Sequence, residues 1–287
     1  MAERVKTNYS YAIIREKTGV ALLFVVLCGL AFLFIVPFFW LVVGSFKQAS
    51  ELFSVPVKWL PEKFSFDNYI QMFNYFPFML YLKNTLIIVF FNIVGSTISS
   101  SFIAYGFSRL NWKGRDQVFV IVLITMILPF QVVMVPLFLF FQRIGWIGTF
   151  LPLTLTCFFG NPFYIFLIRQ FFISLPIELN DAARIDGCGE FRTFLQIAIP
   201  LSAPVLTTVI VFAFLRSWND FIGPLIFLSD NRLYTLSIAA ALIRTPLQPN
   251  WEYLLPLGVI MVLPVLLLFL LMQKYFIQGI AMSGIKG

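Results

Sequence analysis

The sequence contains no histidine, the side chain that most often serves as a general base or as a metal ligand. Charge is scarce as well. Only 11% of the 287 residues are Asp, Glu, Lys or Arg, whereas about a quarter of the residues in a soluble globular chain are charged. These two shortages exclude an ordinary soluble domain and disfavour any hydrolase that depends on a Ser-His pair.

Cysteine is also sparse. Cys28, Cys157 and Cys188 are too few and too dispersed for a disulfide framework, so we expect reduced thiols. The chain lacks the phosphate loop G-x-x-x-x-G-K-[ST], and it therefore does not bind ATP in that manner. The 20 Lys and Arg residues exceed the 13 acidic ones but are scattered, which argues against a nucleic-acid surface.

Long uncharged runs are what the sequence has in abundance. Six of them reach or exceed the roughly 20 residues that a helix needs to cross the hydrocarbon core. The first run, from Thr18 to Phe46, is longer than the core of a signal peptide, so we expect it to be retained. We predict an all-α membrane protein, a single domain over residues 1–287 with six transmembrane helices. Their predicted ranges are 19–44, 84–107, 118–141, 150–171, 202–226 and 253–273.

Basic residues set the predicted orientation. The loop 109–115 holds three of them and the loop 143–149 holds one. Because positively charged short loops stay in the cytoplasm, the N- and C-termini are predicted to be cytoplasmic and the loop between spans one and two, about 47–83, external. The same rule places the polar loop 174–200, between spans four and five, on the cytoplasmic side.

This loop, 174–200, interrupts the apolar runs with charge. Ser174 and Pro176 are a helix-start signal, nothing breaks a helix from Ile177 to Asp186, and Gly187 can end it in a left-handed conformation. A thin face at helical spacing is formed by Leu179, Ala182, Ala183 and Asp186. A second short helix is predicted from about Glu190 to Gln196. By shape alone, an ordinary amphipathic helix on the membrane interface is the alternative.

A wider pattern in this loop resembles a known family. Asp181-Ala182-Ala183, three residues, Gly187, nine residues and Ile197-Ala198-Ile199-Pro200 resemble the EAA loop of binding-protein-dependent ATP-binding-cassette (ABC) importer permeases, of the maltose and multiple-sugar type. Asp181 stands where that family usually has glutamate. In the family this loop is a coupling helix seated in a cleft of the ATPase. The resemblance thus implies an ATPase contact through Glu178, Asp181, Ala182, Ala183, Asp186 and Gly187.

Polar residues near the end of the fifth run resemble the same family. Trp218-Asn219-Asp220-Phe221 followed by Pro224-Leu225 is similar to the fifth-span signature of sugar-importer permeases. Arg216 and Asp220 are four residues apart, so on a helix they neutralise each other, either as a structural ion pair or in a pathway. We predict a substrate path that includes Asn84, Trp218, Asn219 and Asp220.

The resemblance also implies partners. A second permease, two ATPase copies and an extracellular or periplasmic sugar-binding protein are expected, in a bacterial or archaeal plasma membrane. ATP and Mg are expected on the partner ATPase, with no cofactor or metal in this chain. The C-terminal tail is similar to the carbohydrate-permease tail that approaches the ATPase, here through Ser283, Gly284 and Lys286.

The function that the resemblance implies is import of a sugar or oligosaccharide by ATP-driven alternating access, with no catalysis by this subunit. Within the family, a glycerol-phosphate or uronate-oligosaccharide permease stays open. A stand-alone secondary carrier is an alternative of another class. A six-span intramembrane protease is disfavoured, because the sequence has neither histidine nor paired intramembrane aspartates.

Overall fold

A computed structural model describes residues 2–244 and 250–283 of the chain. Helix is the regular structure throughout these ranges, which contain no strand, and the predicted all-α class is confirmed. Short 3-10 and π turns join the helices. The α-helices are α1 Ala2–Gly44, α2 Ala49–Leu52, α3 Asp67–Tyr75, α4 Phe78–Ser108, α5 Arg115–Ile124, α6 Phe130–Arg143, α7 Leu151–Thr154, α8 Pro162–Ser174, α9 Glu178–Ile185, α10 Glu190–Thr193, α11 Ile199–Leu201, α12 Ala203–Trp218, α13 Ile222–Phe227, α14 Leu236–Ile243 and α15 Trp251–Ser283.

Four helical segments of the described chain are long and apolar enough to cross a membrane: Gly19–Gly44, Phe78–Ser108, Leu151–Ser174 and Trp251–Gln273. Two bent pairs of helices pass the same test together. Arg115–Ile127 and Phe130–Arg143 meet at 98°, and Glu190–Leu201 and Ala203–Trp218 meet at 79°. Counting each bent pair as one span gives six candidate spans, the predicted number.

The second, third and fifth predicted spans differ in detail from the structure; the third, 118–141, is the bent pair that contains α5 and α6. The second helix begins at Phe78, before the predicted residue 84, because Lys83 interrupts the apolar run without interrupting the helix. The fifth predicted range, 202–226, is not one helix: α12 ends at Trp218 and α13 begins at Ile222.

The chain divides into two compact units, one of residues 1–72 and 248–260, the other of residues 73–247 and 261–287. The single domain over 1–287 stays a prediction. In the first unit, the Asn68 amide donates to the carbonyls of Ser45 and Lys47, at 3.0 and 2.7 Å. The Lys47 ammonium is fully buried over the Trp40 ring, and burial lowers its pKa.

The second unit is built around α4, which packs against α8 and α12. Small residues make this packing close: a Cβ on Gly95 would lie 2.8 Å from the Phe158 ring, and the buried Ser100 hydroxyl accepts from the Asn161 amide at 3.1 Å. Small residues let membrane helices approach in this way. The core beside them includes Tyr105, Tyr164, Ile168, Phe172, Phe194 and Val209.

Candidate functional site

Helix α9, the centre of the polar loop, runs over Glu178–Ile185, and Gly187 follows it with φ +76°. The amides of Gly187 and Cys188 donate to the carbonyls of Arg184 and Ala183 at 3.0 and 2.8 Å, so the turn satisfies the helix's free carbonyls. A Cβ added to Gly187 would have no heavy atom within 4 Å. The predicted glycine terminus is therefore confirmed, and backbone conformation rather than space explains the glycine.

The predicted start of this helix is wrong. Ser174 ends α8, and its hydroxyl donates back to the Phe171 carbonyl at 2.7 Å instead of capping α9. Leu175, the residue before Pro176, is extended, because a proline disfavours helical backbone at the residue that precedes it. Helix α9 begins three residues later, and Ile177 gives it no side-chain cap.

The predicted thin face of α9 is divided by burial. Ala183 is 4% exposed and Asn180 5%, so these two form the side that packs on the rest of the chain. Of the six residues implied to contact an ATPase, five are exposed and only Ala183 is buried. The exposed five are Glu178, Asp181, Ala182, Asp186 and Gly187.

A hydrogen-bonded cluster that the sequence did not reveal attaches α9 to α4. We call it the Tyr105 junction; it consists of Tyr105, Asn180, Arg184 and Glu190. The buried Tyr105 hydroxyl lies 3.0 Å from Glu190 Oε2, to which it donates, and it accepts from the Asn180 amide at 3.4 Å. Arg184 donates to Glu190 Oε1 from Nε and Nη2, at 3.0 and 2.8 Å.

Arg109 binds the stretch of chain that leads into α9. Its guanidinium lies just beyond α4 and donates to the carbonyls of Phe172 and Leu175, the latter at 2.8 Å. Burial lowers the pKa of Arg109, yet an arginine stays protonated at neutral pH. The cytoplasmic end predicted for α4 thus contacts the chain both before α9, at Leu175, and after it, at Glu190.

The second unit also encloses a cavity of about 380 Å³. Residues of α4, α6, α8, α12 and α13 line it. Its polar lining includes Asn92, Ser96, Asn161, Tyr164, Arg216 and Asp220. The buried hydroxyl of Ser217, also in the lining, has no hydrogen-bond partner among the described residues.

Of the four predicted path residues, Asp220 lines this cavity and the other three do not. The Asn84 amide donates to the Arg232 and Tyr234 carbonyls, both at 2.9 Å. The Trp218 indole donates to the Met261 carbonyl at 2.9 Å. Asn219 is exposed, and its amide returns to the Leu215 carbonyl at 2.8 Å. The structure therefore does not bring the four side chains together.

The ion-pair alternative predicted for Arg216 and Asp220 is not formed, since no ion pair of the described residues joins them, but both residues line the cavity. The reason is that α12 ends at Trp218, so the two residues do not share a helix. Asp220 instead accepts from the Gly223 amide at 3.1 Å, at the start of α13.

The predicted tail contact lies at the edge of the described chain. Ser283 is the last residue of α15, and Gly284 and Lys286 lie outside the described residues. Its contact with an ATPase stays a prediction.

Comparison with known proteins gives a consistent match. Residues 97–282 match the family described as binding-protein-dependent transport system inner membrane component. The chain is 38% identical over 264 residues to the arabinooligosaccharides transport system permease protein AraQ of Bacillus subtilis, covering 90% of this chain and 92% of that one. It is 30% identical over 264 residues to the trehalose/maltose transport system permease protein MalG of Thermococcus litoralis, covering 90% and 94%.

Two further matches agree with these. The lactose transport system permease protein LacG of Rhizobium radiobacter is 30% identical over 249 residues, covering 87% of this chain and 90% of that one. A crystal structure of a bacterial ABC transporter involved in the import of the acidic polysaccharide alginate contains a chain with the same fold. It matches with a TM-score of 0.79 at 24% identity, covering 88% of this chain and 94% of that chain.

Proposed function

Because the chain belongs to the family of binding-protein-dependent transport system inner membrane components, a family of ABC transporter permeases, we propose that it imports a sugar or oligosaccharide by ATP-driven alternating access. It is a multi-pass membrane protein of the carbohydrate-transport type. A permease of this family works with a partner permease, an ATPase and a binding protein. In this proposal two ATPase copies bind ATP and Mg, and closure of the ATPase pair reorients the spans.

Helix α9 is the proposed ATPase contact, and its exposed surface is the observation that carries the proposal. Ala182 and Gly187 present almost no side chain, so a partner surface can approach closely there. Around them Glu178, Asp181 and Asp186 offer carboxylates to basic groups of the partner. Asp181 Oδ1 also lies 3.6 Å from Arg184 Nη1 on the same helix. This exposed ion pair is weak, so the Asp181 carboxylate stays accessible to a partner. Ala183 supports the helix from behind, and Ser283, Gly284 and Lys286 are proposed as a second contact.

The proposed substrate is a neutral oligosaccharide. The relatives named for arabinooligosaccharides, lactose and trehalose/maltose favour it. Amide, hydroxyl and aromatic side chains in the cavity suit sugar hydroxyls and apolar ring faces, with Asp220 the proposed path residue that lies there. Asn84, Trp218 and Asn219 support the path from outside its lining.

A second candidate substrate, an acidic oligosaccharide, is favoured by one observation. The Arg216 guanidinium lines the cavity without a carboxylate within ion-pair distance among the described residues. A uronate or a phosphate would supply one. Stimulation of ATP hydrolysis by binding protein loaded with arabinooligosaccharide, maltose or alginate oligosaccharide distinguishes the neutral class from the acidic one.

The test of α9 is a bulky residue on its exposed face. Ala182 is exposed, so Ala182→Trp leaves the fold of the chain intact but prevents close approach of the ATPase. We expect the variant to insert into the membrane and to lose the ATPase during affinity purification of the assembled complex. Sugar uptake falls to background with it.

Ala49→Trp is the matched control, because Ala49 is also exposed but lies in α2, in the loop predicted to be external. Wild-type sugar uptake by Ala182→Trp would refute the role of α9. Purification of the wild-type complex with no ATP-binding chain, together with uptake that persists without ATP, would instead identify a secondary carrier.

A further inference from the structure

The Tyr105 junction is the described contact in which side chains of α4, α9 and α10 share hydrogen bonds. The Glu190 carboxylate is its centre, because one oxygen accepts from α4 and the other from α9. Both oxygens are therefore occupied. The Tyr105 hydroxyl is in turn bonded on both sides, to Glu190 and to Asn180.

The elements around the junction are firmly packed. The Tyr105 ring meets the rings of Phe172 and Phe194 edge-on, with centroids 5.9 and 5.2 Å apart. One turn earlier on α4, Phe102 contacts Phe194 and stacks on Phe191 at 4.6 and 6.1 Å. The end of α4 thus packs against residues that precede and follow α9. The hydrogen bonds of the Tyr105 hydroxyl fix the orientation of this contact.

Burial distinguishes the two halves of the junction. The Arg184–Glu190 pair is about half exposed on both sides, and such pairs hold their partners weakly in water. Tyr105 is 4% exposed and donates to a charged acceptor, which is a stronger bond in a buried setting. The connection of α4 to the α9–α10 segment consequently depends more on the Tyr105 hydroxyl, which bonds both Glu190 and Asn180, than on the Arg184–Glu190 pair.

Helix α4 also reaches the cavity. Three of its residues, Ile88, Asn92 and Ser96, form part of the lining, and Tyr105 lies nine residues, or two and a half turns, beyond Ser96 on the same helix. A continuous helix moves as one body over that distance. Displacement of α9 therefore acts on the cavity wall through a single rigid element.

We propose that Tyr105 and Glu190 are positioning residues of the transport cycle: the hydrogen bonds that the Tyr105 hydroxyl makes to Glu190 and Asn180 convert movement of the α9–α10 segment into movement of α4 and so into a change at the cavity. This rests on the proposed function, since it is the ATPase that displaces α9. Neither residue contacts the ATPase or the sugar in this proposal. Removal of either side chain leaves docking of the ATPase on α9 intact but prevents movement of α9 from reaching α4.

Two cysteine reporters separate docking from transmission. In a chain with Cys28→Ser and Cys157→Ser, the native Cys188 remains in the turn after α9 and reports on the docking surface. In a second chain Cys188→Ser is added and Ser96→Cys places the thiol on α4, in the cavity lining. The rate of maleimide labelling is measured in the assembled complex, with and without MgATP.

We expect MgATP to change the labelling rate at both reporters in the otherwise wild-type chain. With Tyr105→Phe, which keeps the ring and removes only the hydroxyl, the change at Cys188 persists and the change at Ser96→Cys is lost. Glu190→Gln gives the same pattern, with the change kept at Cys188 and lost at Ser96→Cys, because the Tyr105 hydroxyl no longer donates to a charged acceptor. Tyr69→Phe is the matched control: its hydroxyl bonds Ser45 at 2.8 Å in the loop predicted to be external, and its removal leaves both responses unchanged.

Three results would overturn the proposal. A full MgATP response at Ser96→Cys in both junction variants would show that α4 moves without the bond. Loss of the response at Cys188 in those variants would show that the junction only shapes the docking surface. If one variant does not fold, the other supplies the same comparison, and failure of both to assemble would assign the junction a purely structural role. Absence of any MgATP response at Cys188 in the wild-type chain would instead refute the proposed function.

Discussion

Gly187 and Gly189 lie two residues apart and differ in the backbone angle φ, which decides whether a side chain is tolerated. Both have open space around an added Cβ, but Gly187 has φ +76° whereas Gly189 has φ −71°. A side chain is therefore strained at the first position and unstrained at the second.

We expect Gly187→Ala to destabilise the turn after α9 by about 1 kcal/mol, since an L-residue in the left-handed region costs roughly that much. The resulting displacement of α9 lowers ATP hydrolysis stimulated by the loaded binding protein. Gly189→Ala serves as the control and leaves it unchanged. Equal activity of the two variants would show that the left-handed turn is not needed.

Gly223 leaves space for the Asp220 carboxylate, which lines the cavity. A Cβ at this position would lie 2.5 Å from Asp220 Oδ2 and 3.0 Å from the Leu153 side chain. We expect Gly223→Ala to displace Asp220 and to cost about 1–3 kcal/mol by overpacking. Thermal unfolding of the purified protein measures the loss. Gly106→Ala, at a position in α4 with nothing within 4 Å, is the control and does not lower the unfolding temperature.

Sequence reasoning identified polar residues at membrane depth but not their partners. It selected Trp218 and Asn84 as path residues from segments that resemble the sugar-importer permeases. Their hydrogen bonds go to carbonyls 43 and 148 residues away, and no local pattern encodes those distances. Tyr105 and Glu190, 85 residues apart, were missed as a pair for the same reason.

At the scale of elements, local rules predicted α9 well and its neighbours less well. The glycine terminus follows from backbone preference alone, whereas the false start at Ser174 arose because α8 already used that residue. The predicted helix over Glu190–Gln196 stops at Thr193 and continues as a π turn, Phe194–Ala198. Pro200, which lacks an amide hydrogen and crowds the carbonyl four residues before it, accounts for the irregularity.

Helix α8 begins with a side-chain cap that is open to test. The side-chain oxygen Oδ1 of Asn161 accepts from the backbone amides of Phe163 and Tyr164, at 3.0 and 3.4 Å. We expect Asn161→Ala to lower the free energy of unfolding by about 1 kcal/mol, the usual cost of losing such a cap. Asn161→Asp keeps the accepting oxygen and retains most of the stability. Chemical denaturation of the purified protein compares the two, and equal losses would contradict a capping role.

At the scale of the whole molecule, hydropathy predicted six spans; the described chain has four, or six if each bent pair counts as one span. It was not sufficient to predict that two of them are bent pairs. The first bend lies inside the uncharged run 117–142 and leaves that pattern unbroken, whereas the second pair begins at Glu190, inside the predicted polar loop 174–200.

The orientation of the chain remains a prediction with a direct test. A membrane-impermeant maleimide applied to sealed right-side-out vesicles should leave Cys188 unlabelled, because the loop 174–200 is expected on the inner side. Lys63→Cys, in a chain with Cys28→Ser, Cys157→Ser and Cys188→Ser, should be labelled from outside. Inside-out vesicles reverse both results. Labelling of Cys188 from outside would remove the basis for an ATPase contact at α9.

The sharp bend before α6 has a consequence for hydration. Pro129 precedes the helix and offers no side-chain bond, while the first amides of any helix lack partners within it. In hydrocarbon an unsatisfied amide is costly, so this break requires solvent. Deuterium should therefore enter the amides of Phe130 and Gln131 much faster than those at the centre of α4. The bend before α6 would then be hydrated before any substrate arrives.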